Sequence, residues 1–101
     1  MVVSIKEREL EKRFVVAIKK AGGICPKFVS PGFDGMPDRI VLLPGGRMAF
    51  AEVKAVGCKP RPLQEARHGM LRRLGFRVFV LDDVNNISPL IKTIRTGGDD
   101  E

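Results

Sequence analysis

The stretch from Asp38 to Ala55, "DRIVLLPGGRMAFAEVKA", constrains this chain more than any other. Two apolar runs of strand length are joined by Pro44-Gly45-Gly46, which predicts an antiparallel hairpin with a tight turn. Along the return run, alternation sets Met48, Phe50, Glu52 and Lys54 on one face and Ala49, Ala51 and Val53 on the other. Both faces are largely apolar, so the sheet should be covered on both sides. Glu52 and Lys54 on a covered face, with Asp38 at the mouth of the first strand, are costly unless something compensates their charge.

The rest of the chain supplies the cover. Ser4 and Glu7 fit a capping box, and Leu10, Phe14, Ala17, Ile18 and Ala21 fall within an arc of roughly 80° on the helix that follows. Gly22 and Gly23 end it. Glu11 lies at the edge of the buried stripe. A short strand is expected over Ile24 to Val29, tolerating Pro26 only at an edge or bulge. Ser30 to Pro37 is a loop. A second helix should run from Pro62 to Leu74, stopped by Gly75, followed by a strand over Phe76 to Leu81. Asp83 can cap a last helix through Ile87, Leu90, Ile91 and Ile94. The order is α-β-β-β-α-β-α, and "TGGDDE" reads as a frayed acidic end.

At 101 residues the chain suits one compact domain. No apolar run approaches the roughly 20 residues that span a bilayer, and the N-terminus turns charged too early for a signal peptide. A soluble cytoplasmic protein, with no membrane association, is expected. The net charge is +6 even with Asp99, Asp100 and Glu101 counted, which suggests a polyanionic partner such as nucleic acid. Two cysteines, Cys25 and Cys58, and the single histidine, His68, are too few for a zinc site. His68 is read either as a catalytic or phosphate-contacting group or as a surface or packing residue on a helix.

Glu11, Asp38 and Glu52 can converge as an oxygen cluster of the kind that holds Mg²⁺ or Mn²⁺. A cation would neutralise the like charges. Lys54, two residues beyond Glu52 on the same face, would then stand beside it, able to orient a water or stabilise charge on a phosphate. Each residue has an ordinary reading too. Asp38 can be a turn residue after proline, and Glu52 with Lys54 a solvated pair on an edge strand. Gln64 can be a simple helix-start residue.

Gly35-Met36-Pro37-Asp38, then Glu52-Val53-Lys54, then Gln64 on the next helix, resembles the PD-(D/E)xK nucleases, and within them the VRR-NUC (virus-type replication-repair nuclease) family. The likeness runs from the Glu11 helix through "GGICPKFVSPGFDGMPDRIVLLPGG" to "PLQEARHGMLRRLGF". It implies a restriction-endonuclease-like α/β fold, an αβββαβ core with a small mixed sheet flanked by helices and an extra C-terminal helix. It makes residues 1–96 one nuclease domain, with 97–101 a disordered tail. The implied metal ligands are Glu11, Asp38, Glu52 and the backbone carbonyl of Val53. Lys54 is the implied catalytic lysine, and Gln64 would assist near metal or phosphate.

The implied activity is Mg²⁺- or Mn²⁺-dependent hydrolysis of DNA phosphodiesters. The chain's brevity resembles the stand-alone phage and bacterial members, which points to a homodimeric resolvase of four-way (Holliday) junctions in DNA repair, in a bacterial or phage-infected cell. Flaps, other branched DNA or linear DNA are alternative substrates. A non-enzymatic nucleic-acid-binding module fits the charge but leaves the acids unexplained. Lys59 and Arg61, in the loop after the return strand, and Arg67 on the second helix are candidate contacts to the DNA backbone.

Overall fold

A computed structural model describes residues 5–96; the expected cap at Ser4 and the expected acidic tail at 97–101 lie outside the described residues. Helix α1 spans Ile5–Lys20, strand β1 Arg39–Leu43, strand β2 Arg47–Val53, helix α2 Pro62–Arg73, strand β3 Val78–Leu81 and helix α3 Ile87–Arg95. A single 3₁₀ turn, Val84–Asn86, leads into α3, and Asp83 caps it by accepting from the N–H of Asn85 at 2.9 Å.

The predicted hairpin is present. Arg39 pairs with Ala51 and Leu43 with Arg47, leaving Pro44, Gly45 and Gly46 to turn the chain. Both glycines have positive φ, 84° and 75°, which is why the turn takes them. β3 then pairs parallel to β2 on its other edge, so β2 is the central strand of a mixed sheet. Parallel neighbours need a crossover, and α2 provides it.

The expected strand over Ile24 to Val29 is not continuous. Ile24 bridges Leu42 and Lys27 bridges Arg39, in one antiparallel register along the free edge of β1. Between them Ile40 N–H donates to the Pro26 carbonyl at 3.1 Å, but Pro26 has no N–H to return. The proline breaks the ladder at the sheet edge, where its missing donor costs least.

The two faces of the sheet carry separate clusters. Leu10, Phe14 and Ile18 of α1 and Ile87, Leu90, Ile91 and Ile94 of α3 pack on Val41, Leu43, Ala49, Ala51, Val53 and Leu81. On the reverse face Leu71 of α2 packs with Phe50 and Val78. Burying each large side chain contributes about 1.5–3 kcal/mol, so the α1–α3 side is the main source of stability. The alternation along β2 is as its sequence predicts, and it delivers Glu52 to the α2 face. No helix among the described residues is long and apolar enough to cross a membrane.

Candidate active site

Continuing the β1–β2 register one step beyond Arg39 and Ala51 sets Asp38 directly opposite Glu52. Like charges so placed repel. Asp38 is exposed just before β1, whereas Glu52 is 1% exposed. Burial first, and then the Asp38 carboxylate against it, pushes the Glu52 pKa up to about 8, despite the opposing pull of Lys54.

Besides Asp38, three side chains stand around the Glu52 carboxylate. Gln64 Nε2 donates to Oε2 at 3.0 Å, and Lys54 Nζ lies 3.6 Å from the same oxygen. Gln64 is itself oriented, because its Oε1 accepts from the backbone N–H of Arg61 at 2.8 Å. That bond satisfies one orphan donor of the α2 N-terminus, and it turns the amide so that its nitrogen faces Glu52. Pro62 at the first helical position starts α2 at this point. His68 Nε2 stands 3.6 Å from Glu52 Oε1, and neither atom has a hydrogen-bond partner. Burial foremost, and the nearby Arg72 charge, lower the His68 pKa, so this contact is not an ion pair at neutral pH.

The loop before β1 is shaped to deliver Asp38. Gly35 has φ +90°, and a Cβ there would meet Leu63 Cγ at 2.8 Å and Arg67 Cγ at 3.0 Å. Only glycine lets the loop press this closely on α2. Arg67 fastens the contact, donating from Nε to the Asp34 carbonyl at 2.8 Å and lying 3.9 Å over the Phe33 ring. Phe28 N–H then holds the Asp38 carbonyl at 2.8 Å.

The main chain offers one further oxygen. Phe50 N–H donates to the Arg77 carbonyl and Lys54 N–H to the Leu81 carbonyl, so Ala49, Ala51 and Val53 turn their peptide groups toward β1. In the same register Pro37 falls opposite Val53 and has no N–H. The ladder therefore supplies no donor to the Val53 carbonyl.

Glu11 is placed differently. Its Oε2 accepts from Arg39 Nε at 3.0 Å and lies 2.9 Å from NH2, while Arg39 NH1 donates to the Cys25 carbonyl at 2.8 Å. Arg39 follows Asp38 in the chain and so takes the opposite sheet face, toward α1. The structure thus brings Asp38, Glu52, Lys54 and Gln64 together and holds Glu11 on a different partner. Among the described residues no group of three or more His, Cys, Asp or Glu side chains is arranged to hold a metal ion. Two features nevertheless suit a cation: a buried Glu52 oxygen without a donor, and two acids pressed together with only one partly buried lysine beside them. Lys59 and Arg61 are exposed, and Arg67 is half-buried against its loop.

Sequence reasoning left His68 between a functional and a bland reading and gave Arg39 no role. For His68 a signal existed, since it lies four residues beyond Gln64 and therefore on the same face of α2. For Arg39 none did, because its partner is 28 residues away.

No protein-family model matches the chain. It is similar to p44 of Acyrthosiphon pisum secondary endosymbiont phage 1, a protein provisionally named as a nuclease. The two are 48% identical over 89 residues, covering 86% of this chain and 96% of that one. A solved structure described as a VRR-NUC domain superposes with a TM-score of 0.83 at 33% identity, over 88% of this chain and 97% of its own.

Proposed function

The chain belongs to the VRR-NUC family of nucleases, and we propose that it is a Mg²⁺- or Mn²⁺-dependent DNA endonuclease that resolves four-way junctions as a homodimer. The observation that carries this reading is the Glu52 carboxylate, buried against Asp38 with one oxygen unpartnered. Asp38, Glu52 and the Val53 carbonyl would hold the cation. Glu11 would join them by exchanging Arg39 for it. The cation would polarise the scissile phosphate and lower the pKa of the attacking water.

The chain's own residues do the rest. Gln64 keeps the Glu52 carboxylate in one orientation. Lys54, partly buried on the same face, offers its ammonium to the charge that grows on the phosphate oxygens. Lys59, Arg61 and the guanidinium of Arg67 contact the DNA backbone around the site, giving affinity without reading bases. A four-way junction carries two strands to be cut symmetrically, which suits a two-fold dimer with two such sites. The setting is the cytoplasm of a bacterial or phage-infected cell, and DNA repair is the process served.

End-labelled four-way junction, flap, splayed arm, duplex and single strand, each with Mg²⁺, Mn²⁺ or EDTA, test the proposal. Paired, metal-dependent cuts near the junction centre support it. Preferential cutting of another form would replace the substrate while leaving the nuclease. Equal DNA binding in EDTA with no cutting of any form would overturn the metal-dependent reading.

A further inference from the structure

His68 sits one turn beyond Gln64 on α2 and is 2% exposed. Its Nε2 is aimed at the Glu52 oxygen that Gln64 and Lys54 leave free, at 3.6 Å. Both atoms are buried and both lack a hydrogen-bond partner. A residue selected for packing would not produce this, because an apolar side chain fills such a space without orphaning a nitrogen. The carboxylate is thus held at Oε2 and, among the described residues, unheld at Oε1, with His68 Nε2 just outside bonding distance.

We propose that His68 is the positioning residue for Glu52 Oε1: in the cation-loaded site its Nε2–H donates to that oxygen, so that the carboxylate is gripped at both ends while it ligates. The inference rests on the metal-dependent reading above. It requires the tautomer protonated at Nε2. An uncharged imidazole suits the task, because it orients the carboxylate without competing with the cation for its negative charge. Gln64 and His68 then form a pair of neutral donors, four residues apart on one helix, each assigned to one oxygen of the same side chain. Partners of this kind fix ligand orientation, and losing one typically costs metal affinity about 10–100-fold.

The test compares the wild type with His68→Leu, which fills the space without a donor, and His68→Gln, which keeps an N–H. Calorimetric titration with Mn²⁺ in the absence of DNA gives the affinity, steady-state cleavage gives kcat and KM separately, and thermal unfolding in EDTA reports the fold. His68→Leu should weaken Mn²⁺ binding about 10–100-fold and lower kcat with the KM for DNA little changed. His68→Gln should recover most of both. If His68→Leu does not fold, His68→Ala takes its place with the same expectations. Wild-type Mn²⁺ affinity in the donor-less variant, or no recovery in His68→Gln, overturns the inference and leaves the nuclease reading standing. A wild type that neither binds Mn²⁺ nor cuts DNA overturns both.

Discussion

Glu52 is pulled in opposite directions by its surroundings. Its strand position drives it into the α2 face, and its charge resists. A raised pKa means that the folded state holds the protonated form more tightly than the unfolded chain does. In metal-free protein that stabilisation is complete below about 4.5 and is lost as pH rises toward about 8. Thermal unfolding in EDTA across this window should show falling stability, and Glu52→Gln should flatten the decline. A wild-type profile as flat as that of the variant would contradict the burial argument. Lys54 makes a separable prediction. Lys54→Ala should keep Mn²⁺ binding and lose about 10²–10³-fold in kcat, as removal of a charge-stabilising donor does. Loss of Mn²⁺ binding in calorimetry would mean that Lys54 serves the metal instead.

At this scale, period-two alternation made the shared face of Glu52 and Lys54 legible, and the hairpin register set Asp38 opposite Glu52. The Glu11–Arg39 pair was not legible. A helical wheel gives Glu11 an edge position but says nothing about which distant side chain reaches it.

Among the elements, α2 does the most. It crosses between parallel strands, caps itself with Gln64, points that same residue at Glu52, and receives the loop that carries Asp38. The loop docks because Gly35 has no side chain. Gly35→Ala should cost about 1–2 kcal/mol from the left-handed backbone alone, and more from the overlap with Leu63 and Arg67. Urea unfolding measures that cost, and cleavage should fall further than stability because Asp38 moves with the loop. Stability lost with kcat intact would show that loop docking does not set the position of Asp38. The hairpin, the helices and the last strand were readable from periodicity and turn chemistry. The segment over Ile24 to Val29 was readable only in part. Its apolar pattern is that of a strand, and a single missing N–H at Pro26 reduces it to two bridges.

The molecule as a whole is basic, and the candidate contacts Lys59 and Arg61 are exposed. Binding should therefore weaken steeply as salt rises, and similarly for DNAs of different sequence. A strong sequence preference in competition assays would contradict contact through phosphates alone. Light scattering should give twice the 11.2 kDa chain mass at micromolar concentration, and a monomer there would remove the two-fold arrangement on which junction resolution depends. Charge made a polyanionic partner legible, but the pairing surface of a dimer has no comparable signature in one chain.

The most direct measurement is single-turnover cleavage of a four-way junction in Mn²⁺ by the wild type and by Glu52→Gln, a change that keeps shape and removes the charge. The wild type should cut and stop on addition of EDTA, while a folded Glu52→Gln should cut at least about 10²-fold more slowly. Equal rates in the two proteins, or undiminished cutting in EDTA, would contradict an active site built on the buried carboxylate.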